Sequence, residues 1–257
     1  MPISLMFSEL IGGNFVVNVL LLSSVLLTPV SAQAQNWQML DEVLAQYVAP
    51  AQRQGVMLNA VDYKGLSQDP RYSQIISQIE NYPIQSLTSR EEQLAFYINA
   101  YNVYAIKVVI ENYPVESIRD VGSLFSSVWT RTAGHIDGKA LSLDDIEHET
   151  LRKLGEPRMH FAIVCASLSC PNLRNEAYTA AKLDQQLEDQ AKSFLNNETK
   201  GVLLDGQRAR ASQIFDWFEE DFDASGGVEA FIRRYRELPA RVNLHANLPY
   251  NWDLNEQ

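Results

Sequence analysis

The sequence predicts an α+β fold, with helices packed around a small antiparallel sheet in one domain. Helical apolar spacing runs through most of the chain. Asp-Gly turn signals at Asp137-Gly138 and Asp205-Gly206 each separate short strand-like runs. Helices and strands do not alternate as βαβ units, so a parallel doubly wound sheet is not expected.

In chain order, Trp37, Leu40, Leu44 and Tyr47 predict a helix over residues 36–49. "GVMLNAVDYKGL" reads as a short strand and turn, and "DPRYSQIISQIENY" as an amphipathic helix. The stretch "TSREEQLAFYINAYNVYAIKVVIENYP" is apolar around nearly its whole circumference, which predicts a helix buried on all sides. Thr88 and Glu91 are read as its capping box, and Pro114 as its stop. Asn99 and Asn102, one turn apart, share a face of that helix and need hydrogen-bond partners there. They are either a satisfied core pair or the polar wall of a site. Ser142 with Asp145 caps a further helix, on which Glu147 falls in the apolar stripe and His148 points away from it. A carboxylate in that place is read as half of a buried ion pair, with Arg158 a candidate partner, or as an orienting or basic group. "TAAKLDQQLEDQAKSFLNN" and "SQIFDWFEEDF" are further helices, and the Asn-rich "NLPYNWDLNEQ" is an extended tail.

Composition excludes some functions. The formal net charge of -11 leaves no basic face to neutralise phosphates, so nucleic acid is not an expected partner. The uncharged run "FVVNVLLLSSVLLTPV" precedes Ala32 and Ala34, an A-x-A signature. It predicts a signal peptide over residues 1–34, cleavage between Ala34 and Gln35, and a periplasmic or secreted domain over 35–257. The segment before it carries Glu9 and no Lys or Arg, which departs from the usual basic start. Asn18, Ser23 and Ser24 interrupt the run, so no stable membrane span is expected after cleavage. Export would place both cysteines where they can pair. No HExxH, CxxC, GxSxG, P-loop or GxGxxG occurs, and neither a metal nor a cofactor is predicted. "DFDASGGVE" lacks calcium-loop spacing and reads as a helix-ending turn.

Chemistry concentrates in "RMHFAIVCASLSCP", which holds both cysteines and reads as a buried strand. Strand alternation sets His160 and Cys165 on opposite faces, roughly 16 Å apart, too far for a base and its nucleophile. Ala166, Ser167 and Ser169 suit a turn that brings the two cysteines within bridging distance. Three states stay open: a structural bridge, a reactive or exchangeable one activated by Arg158, His160 or Arg174, and two inert thiols.

"AFYINAYNVYAIKVV", "LSLDDIEHETLR", "PRMHFAIVCASLSCPNLR", "ASQIFDWFEEDF" and "LPYNWDLN" resemble, in order, the domain of unknown function 547 family, as an exported bacterial member, over residues 56–255. Asn99, Asn102, Glu147, His148, Arg158, His160, Cys165, Cys170 and Pro171 match its motifs. Some plant relatives carry Ser at the second cysteine, which weighs against a family-wide need for Cys170. The resemblance implies no activity, and a papain-like arrangement is an expectation beside it. Two functions follow from the residues. One is a thiol-dependent hydrolase or transferase for a peptide-like or low-molecular-weight thiol substrate, with Cys165 or Cys170 as nucleophile, His148 or His160 as base and Glu147 or an Asn as orienter. Asn99, Asn102 and Arg158 would bind substrate. The other is a non-catalytic peptide- or ligand-binding module with a structural Cys165–Cys170 disulfide.

Overall fold

The computed structural model describes residues 36–122 and 126–257; the signal peptide and cleavage point expected over residues 1–35 lie outside them. Helix α1 (Gln38–Tyr47) buries Leu40, Val43 and Leu44. Strand β1 (Val48–Arg53) follows directly and pairs antiparallel with β2 (Val56–Val61). The sequence predicts only the second strand here. Ala, Pro, Gln and Arg are weak strand formers, and the pairing is set by a turn whose two residues, Gln54 and Gly55, both have positive φ.

The short α2 (Tyr63–Leu66) leads to α3 (Pro70–Glu80), which Asp69 caps by accepting the Arg71 N–H. Helix α4 (Arg90–Asn112) is buried from Leu94 to Val109 except at Tyr97 and Lys107. Its capping box is Ser89 with Glu92, one residue beyond the predicted pair, although Glu92 also accepts from Thr88.

Strands β3 (Thr132–Ile136) and β4 (Lys139–Ser142) close the hairpin signalled by Asp137-Gly138. The Ser142–Asp145 box then starts α5 (Leu143–Ile146). That helix continues as a π turn, Glu147–Leu151, and a 3-10 turn, Arg152–Leu154. A π turn shifts the side chains that follow it, a device common at functional sites.

Residues 158–165 are not a strand. Glu156 caps a 3-10 turn, Pro157–Phe161, and the chain then runs irregularly to the cysteines. Side chains, not a neighbouring strand, satisfy its backbone: Asn102 donates to the Ala162 carbonyl at 2.9 Å and accepts the Val164 N–H at 2.8 Å. Gln190 donates to the Phe161 carbonyl at 2.9 Å. A short apolar run looks the same by periodicity whether strand or buried coil.

Helix α6 (Leu183–Leu195) precedes β5 (Val202–Asp205) and β6 (Arg208–Ser212), the second predicted hairpin. Helix α7 (Ile214–Trp217), a 3-10 turn over Glu219–Ser225, α8 (Val228–Arg233) and β7 (Asn243–Leu248) complete the order. Strand β7 lies parallel to β6. The α+β class holds, but among the described residues the strands form three small sheets rather than one, and one of the three is mixed. Among the described residues, no helix is long and apolar enough to cross a membrane.

Among the described residues, a small apolar cluster of Val56, Leu58 and Leu168 accompanies two large ones. One surrounds α4; the other gathers Phe161, Phe194, Phe215, Phe222 and Phe231 beneath β5 and β6. Tyr250 packs against both, and the candidate site is lined from both.

Candidate functional site

A cleft of about 200 Å³ opens where the clusters meet. Glu147, His148, His160, Cys165 and Cys170 all line it, so five of the eight predicted site residues converge. The other three do not line it. Asn99 spends its amide on the backbone of Tyr178, and Asn102 on Ala162 and Val164. Both border a separate void of about 10 Å³, room for roughly one water. Arg158 pairs with Glu156 at 2.7 Å and Asp184 at 2.9 Å, so it is not the partner of Glu147.

The cysteines are bonded to each other, with their α-carbons 6.1 Å apart. Ala166, in the left-handed region at φ 60°, turns the chain between them, and a non-glycine residue held there is an uncommon local cost. The two sulfurs differ in surroundings. Cys165 is partly buried at the cleft, whereas Cys170 is 1% exposed. The Cys165 N–H points at the Cys170 Sγ at 2.9 Å. The Tyr250 hydroxyl lies 3.2 Å from the Cys165 Sγ and 3.3 Å from the Cys170 Sγ. Behind the loop, the buried Lys200 ammonium donates to the Cys170 carbonyl at 2.6 Å and to Asn172 Oδ1 at 2.7 Å. Burial among neutral acceptors pushes its pKa down to about 7.

Across the cleft, π-turn residue Glu147 and 3-10 residue His160 face one another. His160 Nε2 lies 2.7 Å from Asp221 Oδ2. An ionised carboxylate only accepts, so Nε2 carries the proton and the Nδ1 lone pair is left facing Glu147 Oε1 at 3.9 Å. Burial, outweighing the Asp221 hydrogen bond, holds the imidazole pKa below its ordinary value. Asp221 itself is held far below the usual carboxylate range by its bonds to His160 and to Arg152, despite its own desolvation. Glu147, its side chain 13% exposed, is pushed up to about 7, chiefly by desolvation. Its hydrogen bond from the Tyr101 hydroxyl, at 3.3 Å, opposes that rise. Glu147 is therefore a proton carrier near neutral pH, and beside it stands an imidazole that burial keeps in its neutral form, its Nδ1 lone pair turned toward the carboxyl. His148 is half-exposed beside them, 3.0 Å from Arg152 through Nδ1.

Aromatic rings wall the rest. Trp217, 42% exposed, stacks on Trp252, with centroids 5.7 Å apart, and Tyr250 lies against both. Phe218 stacks on His160 at 4.2 Å. Sequence reasoning did not single out Tyr101, Arg152, Asp221, Trp217, Tyr250 or Trp252. Tyr101 was one of many apolar positions on α4 and Arg152 one of several charges ending the Glu147 helix, while the others are aromatic residues in polar segments or part of the acidic run after α7. Among the described residues, no cluster of three His, Cys, Asp or Glu side chains is arranged to hold a metal ion.

Residues 84–195 match the family described as "Protein of unknown function, DUF547", a span that includes α4, the Glu147 turn and both cysteines. No curated protein and no solved structure matches the chain.

Proposed function

We propose a function from the cleft itself, since the DUF547 family that residues 84–195 match is described without an activity: a thiol-dependent hydrolase or transferase acting on a peptide-like or low-molecular-weight thiol substrate. One observation carries this reading. A partly exposed sulfur, Cys165, shares a small aromatic-walled cleft with a carboxyl group that holds and releases a proton near neutral pH, Glu147, and a neutral imidazole, His160.

The closed bridge stores the nucleophile, and a low-molecular-weight thiol is the reductant that frees it. The Cys165 thiol then gives its proton to Glu147, and its sulfur bonds to the substrate's acyl carbon. The bond to the leaving group breaks, and the leaving group takes the proton back from Glu147. Water or a second thiol cleaves the thioester and restores Cys165. His160, fixed by Asp221, is the positioning partner of Glu147, and Trp217 and Trp252 face the substrate. The proposal includes export, since an oxidising compartment keeps the bridge closed until a thiol arrives. A papain-like arrangement enters it only as a central buried helix behind the sulfur, because Cys165 sits on a loop.

The closed bridge also favours a second reading, a non-catalytic ligand-binding module whose disulfide is permanent. Alkylation separates the two. Under the catalytic reading, native protein does not react with iodoacetamide, and reduced protein labels at Cys165 with a pH midpoint below the free-thiol value of about 8.5. Glu147→Gln shifts that midpoint. Labelling at the free-thiol midpoint, unmoved by Glu147→Gln, would leave the binding module standing.

A further inference from the structure

We infer that the Cys165–Cys170 bridge opens with a fixed polarity: a low-molecular-weight thiol attacks the Cys165 sulfur from the cleft, and Cys170 departs as a thiolate held by the Cys165 N–H and the Tyr250 hydroxyl. This thiol–disulfide exchange shares the sulfur-centred cleft with the proposed function but needs no hydrolytic or acyl-transfer step.

Access and stabilisation point the same way. An incoming thiolate must approach a sulfur from outside, and Cys170 is 1% exposed while Cys165 is partly open at the cleft. The departing sulfur gains negative charge, and charge-assisted donors lower the cost of that charge. The Cys170 Sγ has two such donors in place, the Cys165 N–H at 2.9 Å and the Tyr250 hydroxyl at 3.3 Å. The opposite polarity would leave Cys165 as the thiolate. It has hydroxyls nearby, Tyr250 at 3.2 Å and Ser167 at 3.4 Å, but no backbone N–H, and the attack would have to reach a closed sulfur.

The step balances. The thiol R–SH gives its proton to the Glu147 carboxylate, its sulfur bonds to Cys165, and the Cys165–Cys170 bond breaks with its electron pair on Cys170. The products are a mixed disulfide at Cys165, a Cys170 thiolate and a protonated Glu147. A second thiol attacking that mixed disulfide releases R–S–S–R and leaves both cysteines reduced. Two thiols are oxidised and one protein disulfide is reduced.

The probe is reduced glutathione. Native protein is mixed with excess glutathione, quenched in acid at short times, unfolded, capped with N-ethylmaleimide and mapped by peptide mass spectrometry. The expected map carries glutathione on Cys165 and maleimide on Cys170. Tyr250→Phe slows opening about tenfold, the loss of one charge-assisted hydrogen bond. Glutathione on Cys170, an even mixture, no adduct at any time, or an unchanged rate in folded Tyr250→Phe overturns the inference. If that variant does not fold, single-cysteine proteins decide. Followed by thiolate ultraviolet absorbance, which needs no reagent to reach the sulfur, Cys170 in Cys165→Ser should ionise at a lower pH than Cys165 in Cys170→Ser, and the reverse order or equal midpoints overturn the polarity. Failure of acyl transfer leaves this map unchanged, so the two proposals fail separately.

Discussion

A carboxyl group that is nearly closed off from water either finds a cation or stays protonated. Glu147 follows the second course up to about pH 7, because the nearest arginines are committed elsewhere: Arg152 to Asp221 and Glu220, and Arg158 to Glu156. The sign of its pH effect follows. Its pKa is near 7 in the folded protein and about 4.3 in the unfolded chain. Between those values the folded state keeps a proton that the unfolded state has lost, so stability falls as pH rises from about 4.3 to about 7 and then levels. The full loss is on the order of 3 kcal/mol. Glu147→Gln keeps the shape and removes the titration. Its unfolding free energy should gain on the wild type's steadily from pH 4.5 to 7, as read by urea denaturation. Parallel stability curves for the two proteins across that range would mean that Glu147 is ionised and paired.

At the scale of elements, what was legible in the sequence was what local chemistry determines. The Ser142–Asp145 box, the Asp-Gly hairpins and the all-round apolar α4 each depend on residues within a few positions, and each is present. Strand β1 escaped notice because Gln-Gly is a weak turn signal, and β7 because its parallel partner β6 lies thirty or more residues earlier. The cysteine segment was misread for a related reason: its backbone partners are amides on α4 and α6, remote in sequence. That dependence is testable. Asn102→Leu fits an apolar neighbourhood by volume but strips partners from the Ala162 carbonyl and the Val164 N–H. Each unsatisfied buried group costs about 1–3 kcal/mol, so a loss of about 3 kcal/mol in unfolding free energy is expected. A denaturation midpoint equal to the wild type's would show that the segment has other partners.

Across the whole molecule, the C-terminal tail joins what the sheets leave apart. It exchanges backbone hydrogen bonds with β2, Val61 N–H to the Asn255 carbonyl at 2.9 Å and Gln257 N–H to the Val61 carbonyl at 3.1 Å. It holds the cysteine loop through Leu168 N–H to the Asp253 carbonyl at 2.8 Å and Asn255 N–H to the Ala166 carbonyl at 3.1 Å. Inside, the Asn255 carboxamide accepts from the buried Tyr63 hydroxyl at 2.6 Å. The same tail delivers Tyr250 and Trp252 to the cleft, so support of the loop and completion of the site are inseparable. The bridge is the weaker support. Closing so short a loop stabilises by only about 2 kcal/mol on the chain-entropy account. A chain ending at Pro249 loses partners for at least four buried or half-buried backbone groups, at about 1 kcal/mol or more each. Truncation should therefore lower the melting temperature more than reducing the bridge does in the intact chain. It should also let glutathione open the bridge faster, since Leu168 and Ala166 no longer hold the loop. If the truncated protein melts with the intact one, or reduction alone is the larger loss, the bridge rather than the tail holds the site together.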